Sequence, residues 1–128
     1  MIYGGGTRLG YACAEGMARE GATVFISGRR EVRLVQAAAK LSKIGRAGFA
    51  AGDATSEPNV QRVTERAVEF MGGLDTLVIG AGASGVGSIL DETSKGFREV
   101  RDANLLSTFL CSRHGAPHLV ANGKGSMP

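Results

Sequence analysis

Met1-Ile2-Tyr3-Gly4-Gly5-Gly6-Thr7-Arg8-Leu9-Gly10 opens the chain, and its reading decides the fold. A short apolar lead runs into a glycine cluster, and an alanine-rich segment of helix formers follows from Tyr11 to Arg19. Strand end, glycine turn and helix start, in that order, build a phosphate site. Glycine lets the backbone turn tightly and approach a ligand, and the helix start offers unpaired N–H groups with a partial positive charge. A dinucleotide lying across this turn would be served by the segments that follow.

Outward from the turn, Glu20-Gly21 stops the first helix. Ala22–Ser27 (ATVFIS) is a nearly all-apolar run with β-branched residues, the pattern of a strand covered on both faces. Gly28-Arg29-Arg30 ends it, and Glu31–Leu41 reads as a helix with Val32, Val35 and Ala38 or Ala39 on its inner face. Ala47–Gly52 is a third strand, followed directly by Asp53. Ser56 is placed to cap a helix whose first turn holds Pro58, and in which Val60, Val63, Ala67, Val68 and Met71 recur at helical spacing. Leu74–Ile79 (LDTLVI) is a fourth strand that runs into Gly80-Ala81-Gly82-Ala83-Ser84-Gly85. Thr93 or Ser94 caps one long final helix reaching His118 or Leu119. Strands alternating with helices over short connections predict a doubly wound α/β fold, a parallel sheet with helices on both faces.

Composition narrows the function. At 128 residues the chain is one domain's worth, with 43% hydrophobic residues and no low-complexity run. A dispersed net charge of +3, no Lys/Arg block and 5% aromatic residues argue against a nucleic-acid partner. No apolar run approaches the roughly 20 residues of a membrane span, and no secretory leader precedes the first glycine, so a soluble cytoplasmic protein is expected. Cys13 and Cys111 fall in apolar helical segments and read as buried thiols, not as a disulfide or a metal site. His114 and His118 share a helix face, but no third ligand of the right type accompanies them. They read as helix-end surface histidines, and no metal is expected.

In such a sheet, ligands bind off the carboxyl ends of the strands. The opening turn (Gly4, Gly6, Thr7, Arg8, Leu9, Gly10) lies there. So does Gly28-Arg29-Arg30, about 20 residues later, where a dinucleotide fold reads the adenosine ribose. An acid there would accept from a ribose 2′-hydroxyl. This chain has Arg29 and Arg30 instead, with Arg8 available from the loop, which suits a 2′-phosphate and favours NADP over NAD. Solvated arginines opening a helix are the competing reading. Asp53, with Ala54 beside it, is placed to accept from an adenine amino group, and equally to cap a loop or helix. Gly80, Ala81 and Gly82 would let backbone pass close to the cofactor, or simply form a strand–helix turn.

Taken together, Gly4…Gly10, Asp53 after the third strand, LDTLVIGAGA at 74–83 and DANLLSTFLCSRHGAPHL at 102–119 resemble the short-chain dehydrogenase/reductase family, with its Rossmann-type fold. The likeness is greatest to small NAD(P)-dependent reductases of the 3-oxoacyl-carrier-protein reductase kind. It implies an NADP-dependent oxidoreductase that transfers hydride between the cofactor and a small-molecule alcohol or ketone. It also implies a homodimer or homotetramer to which the final helix contributes. Gly4 and Gly10 match the outer glycines of the family's TGxxxGxG loop, with Tyr3 in place of Thr and Arg8 in place of the middle glycine. There Arg8 either crowds the pyrophosphate or binds the phosphates. Asp53 matches the adenine-contacting Asp. Ile79–Gly82 occupies the Asn-Asn-Ala-Gly position and retains Ala81 and Gly82. Asn104 matches the active-site Asn whose backbone carbonyl holds a water of the proton relay in a disrupted helical turn.

The family's Ser and Tyr-x-x-x-Lys lie beyond a fifth strand, which would begin at Ser126-Met127-Pro128. Tyr11 has no Lys four residues on. Residues 1–128 therefore read as an incomplete NAD(P)-binding domain, a fragment cut at both ends and inactive alone. With only Met1-Ile2-Tyr3 ahead of the glycines, a poorly paired seam is expected between the second and fourth strands. A non-catalytic nucleotide-binding sensor domain is the alternative. A methyltransferase would want an acid where Arg29 and Arg30 stand.

Overall fold

The computed structural model describes residues 1–85 and 87–128. Four strands, β1 (Ile2–Tyr3), β2 (Val24–Gly28), β3 (Ala47–Ala51) and β4 (Val78–Ile79), form one sheet in the order β3-β2-β1-β4. Every pairing in it is parallel. Between the strands run α1 (Arg8–Arg19), α2 (Glu31–Leu41) and α3 (Glu57–Met71). After β4 come α4 (Ser94–Arg101), a π-helical turn (Asp102–Leu106) and α5 (Ser107–Asn122).

The period-2 alternation of the strands divides the core in two. Ile2, Val24 and Ile26 face α1 and α2, where they pack with Ala14, Leu34 and Leu41. Tyr3, Phe25 and Ala50 face the other way, onto Val60, Val63 and Ala67 of α3 and Leu110, Cys111 and Leu119 of α5. Helices thus cover both faces, as the apolar run of β2 requires.

The expected seam is closed. Ile2 pairs with Ile26 on one side and Val78 on the other, and Tyr3 with Ser27 and Ile79. Val78 N–H donates to Met1 O at 2.9 Å, and the Met1 amine donates to Thr76 O at 2.8 Å. Met1, Ile2 and Tyr3 are 5%, 0% and 2% exposed, so three residues suffice to fill the gap at the carboxyl end of the sheet. Tyr3 gains a further anchor. Its hydroxyl donates to Val60 O at 3.1 Å and meets Thr64 Oγ1 at 2.8 Å, tying the central strand to α3. β4 is shorter than Leu74–Ile79 because only Val78 and Ile79 find β1. Upstream, Thr76 pairs in parallel with Ser126, with Leu77 N–H donating to Ser126 O at 3.0 Å.

Three helical expectations need correction. On α2 the buried face is Leu34, Ala37, Ala38 and Leu41, while Val32 and Val35 are 71% and 48% exposed. Both stripes have helical spacing, and the one carrying two leucines buries more apolar area. The last helix is not continuous: the π turn separates α4 from α5, although Thr93 Oγ1 does cap α4 by accepting from Gly96 N–H at 3.0 Å. Ser56 takes the extended N-cap backbone of α3, but its side chain makes no capping bond. In addition α1 begins at Arg8, ahead of Tyr11.

Candidate functional site

The glycine turn is held from below by one acceptor. Gly4 and Gly5 N–H both donate to Ser27 O, at 2.8 and 3.1 Å, so β2 fixes the turn as it leaves β1. Gly4 has φ +77°, and a Cβ there would stand 2.5 Å from Gly80 O. A Cβ on Gly10 would press into the Gly4 carbonyl. The turn, the first helical coil of α1 and the end of β4 therefore meet backbone to backbone, which only glycine allows.

Above this floor, off the carboxyl ends of the strands, lies a cleft of about 480 Å³. Every cofactor-side residue expected from the sequence lines it: Gly4, Gly6, Thr7, Arg8, Leu9 and Gly10 from the turn, Arg29 and Arg30 after β2, Asp53 and Ala54 after β3, and Gly80, Ala81 and Gly82 after β4. The fold brings together segments far apart in sequence because parallel strands put all their carboxyl ends on one edge. Thr7 is the N-cap of α1, yet its side chain makes no capping bond, and among the described residues its hydroxyl has no partner. Leu9 is 78% exposed and gives the cleft an apolar wall.

Arg8 is the unusual member. Its φ is +52°, the left-handed region, and among the described residues it is the one non-glycine with positive φ. That conformation costs an L-residue roughly 1–2 kcal/mol. The backbone at this point suits a glycine, and an arginine holds the position under strain.

Asp53 is both a loop cap and a cleft residue. Its Oδ1 accepts from Thr55 N–H at 2.9 Å and from Thr55 Oγ1 at 2.8 Å. Among the described residues Oδ2 carries no hydrogen bond.

Asn104 does not line the cleft itself, but its neighbours Ala103 and Ser107 do. It sits in the middle of the π turn, where the helical hydrogen-bond ladder is interrupted. Its Nδ2 donates to Ala83 O at 2.6 Å and Val100 O at 2.7 Å, and a Cβ on Gly82 would lie 2.8 Å from its Oδ1. The side chain thus pins the loop after β4 against the helix. Its backbone carbonyl accepts from Thr108 Oγ1 at 2.6 Å.

Sequence reading passed over Arg33, Thr55 and Ser107, which also line the cleft. Arg33 follows Arg30 by three residues on a helix, a spacing that puts both on one side and was available as a signal. Ser107 directly follows the disrupted turn that the resemblance implies at Asn104.

Other groups are structural. Burial pushes the Cys111 thiol up to about 12, so it is no nucleophile near neutrality, and burial raises the Tyr3 phenol as well. Cys13 is only half-buried, contrary to the buried thiol expected there. His114 is not a free surface histidine: its side chain is 20% exposed and Nε2 lies 3.0 Å from Glu57 Oε1, joining α5 to the start of α3. Among the described residues no group of three ligating side chains could hold a metal ion, and no helix is long and apolar enough to cross a membrane.

Known proteins share this parallel-sheet fold. The model of the short chain dehydrogenase family matches residues 1–127. A short-chain dehydrogenase/reductase of Armillaria gallica is 34% identical over 98% of this chain and 49% of its own length. A glucose 1-dehydrogenase of Gluconobacter oxydans is 32% identical over 99% of this chain and 49% of its own. Among solved structures, a short-chain type dehydrogenase/reductase from Mycobacterium ulcerans superposes with a TM-score of 0.94 at 30% identity, covering 98% of this chain and 48% of that one. The chain spans about half the length of the curated relatives it matches. It belongs to the short-chain dehydrogenase/reductase family.

Proposed function

We propose that residues 1–128 are the cofactor-binding part of an NADP(H)-dependent oxidoreductase that interconverts an alcohol and a ketone by hydride transfer. The observation that carries the cofactor choice is the charge at the ribose end of the cleft. β2 ends in Gly28-Arg29-Arg30, both arginines are exposed and line the cleft, and Arg8 lines it too. A carboxylate, which would accept from a 2′-hydroxyl and repel a 2′-phosphate, does not stand at that strand end.

The residues present fit such a cofactor. Glycine backbone that no Cβ could share brings the turn close to a pyrophosphate, and Thr7 keeps a free hydroxyl at the start of α1. Arg29 and Arg30 offer planar, charged donors to the 2′-phosphate. Asp53 accepts from the adenine amino group, while its bonds to Thr55 hold the loop in place. When bound, the nicotinamide ring supplies or takes up the hydride. Asn104 serves the proton side from within the π turn, its side chain locked to Ala83 and Val100. The acid–base Ser, Tyr and Lys of the intact enzyme would come from outside these residues, so 1–128 alone turns nothing over. Phe97, Leu105 and Phe109, at 63%, 68% and 55% exposed along α4, the π turn and α5, support a homodimer or homotetramer of the intact protein.

Titrating residues 1–128 with NADP and NAD tests the cofactor reading. NADP should bind at least about tenfold tighter, roughly 1.4 kcal/mol. Equal affinity, or a preference for NAD, overturns it. An intact protein that binds NADPH but reduces no ketone in a broad panel would refute the catalytic half of the proposal.

A further inference from the structure

Resting on the NADP reading above, we propose that Arg33 is a specificity-determining residue of the cleft, one of the donors that hold a 2′-phosphorylated adenosine. Three observations converge on it.

The first is position. Arg33 lines the cleft from the first turn of α2. That turn lies directly on the glycine loop: a Cβ on Gly6 would stand 3.1 Å from Leu34 Cδ2 and 4.0 Å from Arg33 Cβ. The Arg33 stem is therefore seated beside the phosphate turn, while its exposed head shares the cleft with Arg29 and Arg30. Leu34, one residue on, is 1% exposed and locks the helix in this register.

The second is that its guanidinium is unspent. Among the described residues Arg8, Arg29, Arg30 and Arg33 make no ion pair and no side-chain hydrogen bond. Arg19 pairs with Glu15, Arg46 donates to Phe70 O, Arg62 to Ala51 O, Arg101 pairs with Asp102 and Arg113 with Glu57. Among the described residues Arg66 and Arg98 are unpaired as well but lie outside the cleft, and all four arginines that line it keep donors to offer.

The third is electrostatic misplacement. Arg30 is the N-cap of α2 without a capping bond, and Glu31 is the acid of its first turn. Arg29, Arg30 and Arg33 thus crowd the positive end of a helix dipole, where cations are disfavoured. A local rule broken this way marks a site kept for something other than stability. A dianionic phosphate at that end relieves the repulsion and satisfies the guanidinium groups together.

The test compares 2′,5′-ADP with 5′-AMP, titrated calorimetrically into residues 1–128 at one ionic strength. In wild type the 2′-phosphate should tighten binding. In Arg33→Ala the ratio of the two affinities should fall at least about fivefold, with 5′-AMP changed less than about twofold, as expected for one lost charged donor. Arg33→Lys should recover only part of the ratio, because a point charge lacks the planar fork. Arg98→Ala, an exposed residue of α4 outside the cleft, should leave the ratio unchanged, which separates a local contact from the general field. Arg33→Gln, which keeps the stem, replaces the alanine variant if that one melts early. An unchanged ratio in Arg33→Ala and Arg33→Gln, or equal weakening of both ligands, overturns the proposal. A wild type indifferent to the 2′-phosphate overturns the NADP reading itself, before any Arg33 variant is measured.

Discussion

Arg8→Gly should make the chain more stable and its hold on NADP weaker, two effects that no single alternative account of Arg8 produces together. With φ +52°, Arg8 sits where an L-residue is disfavoured by roughly 1–2 kcal/mol. Glycine removes that strain but adds about 0.4–1 kcal/mol of unfolded-chain entropy to be lost. The net gain is about 0.5–1 kcal/mol, a rise of roughly 2–5 °C in Tm for a domain of this size. On the ligand side, removing an exposed charged donor from the cleft should loosen NADP about five- to tenfold, the low end of a charge-assisted hydrogen bond. Arg8→Ala is the control, since it drops the guanidinium but keeps a Cβ at positive φ. Its NADP affinity should match that of Arg8→Gly while its Tm stays below. Calorimetric melting and titration of the three proteins give both readouts. A Tm for Arg8→Gly at or below that of Arg8→Ala refutes the strain argument. Tighter NADP binding in both variants means that the side chain crowds the pyrophosphate.

Gly10→Ala places a methyl group into the Gly4 carbonyl and should cost at least about 2 kcal/mol in denaturant titrations, with nucleotide binding lost. A near-neutral effect would mean that the turn has more room than the backbone contacts indicate. Ser27 Oγ is fully buried without a hydrogen-bond partner among the described residues, so Ser27→Ala should be neutral or stabilising by up to about 1 kcal/mol, and a loss beyond that would reveal a missing partner. In a polypeptide beginning at Met1, burial pushes the α-amine down from 8.0 to about 6. Between those values the unfolded state binds more protons than the folded one, so stability should rise as pH goes from 6 to 8, by about 2–3 kcal/mol at most. A flat profile over that window, in a protein otherwise free of transitions there, would show the amine to be solvated.

Much of the site was legible because its signals are local. A glycine turn announces itself by composition, and two arginines about 20 residues later reach the same cleft by the length of one helix and one strand. Asp53 and the Gly80–Gly82 loop follow strands whose apolar runs can be read directly. What stayed hidden depends on competition between distant groups. Val32–Val35 and Leu34–Leu41 offer α2 two plausible inner faces, and contact with Ile26 and Ala14 selects the second. The same register turns Arg33 toward the cleft. The closed seam at β1 depends on β2 and β4 both offering partners to three residues.

By itself, then, the order of residues determined the alternation of strands and helices, the glycine turn, the basic end of the cleft and the family likeness. These rest on propensity, period and short-range spacing, which act along the chain. Only the tertiary structure decided that Arg8 bears a left-handed backbone, that Tyr3 is anchored on α3, and that the disruption at Asn104 takes the form of a π turn. Each of these is settled where backbones and side chains from separate elements meet at contact distance. No one-dimensional pattern encodes which of them yields.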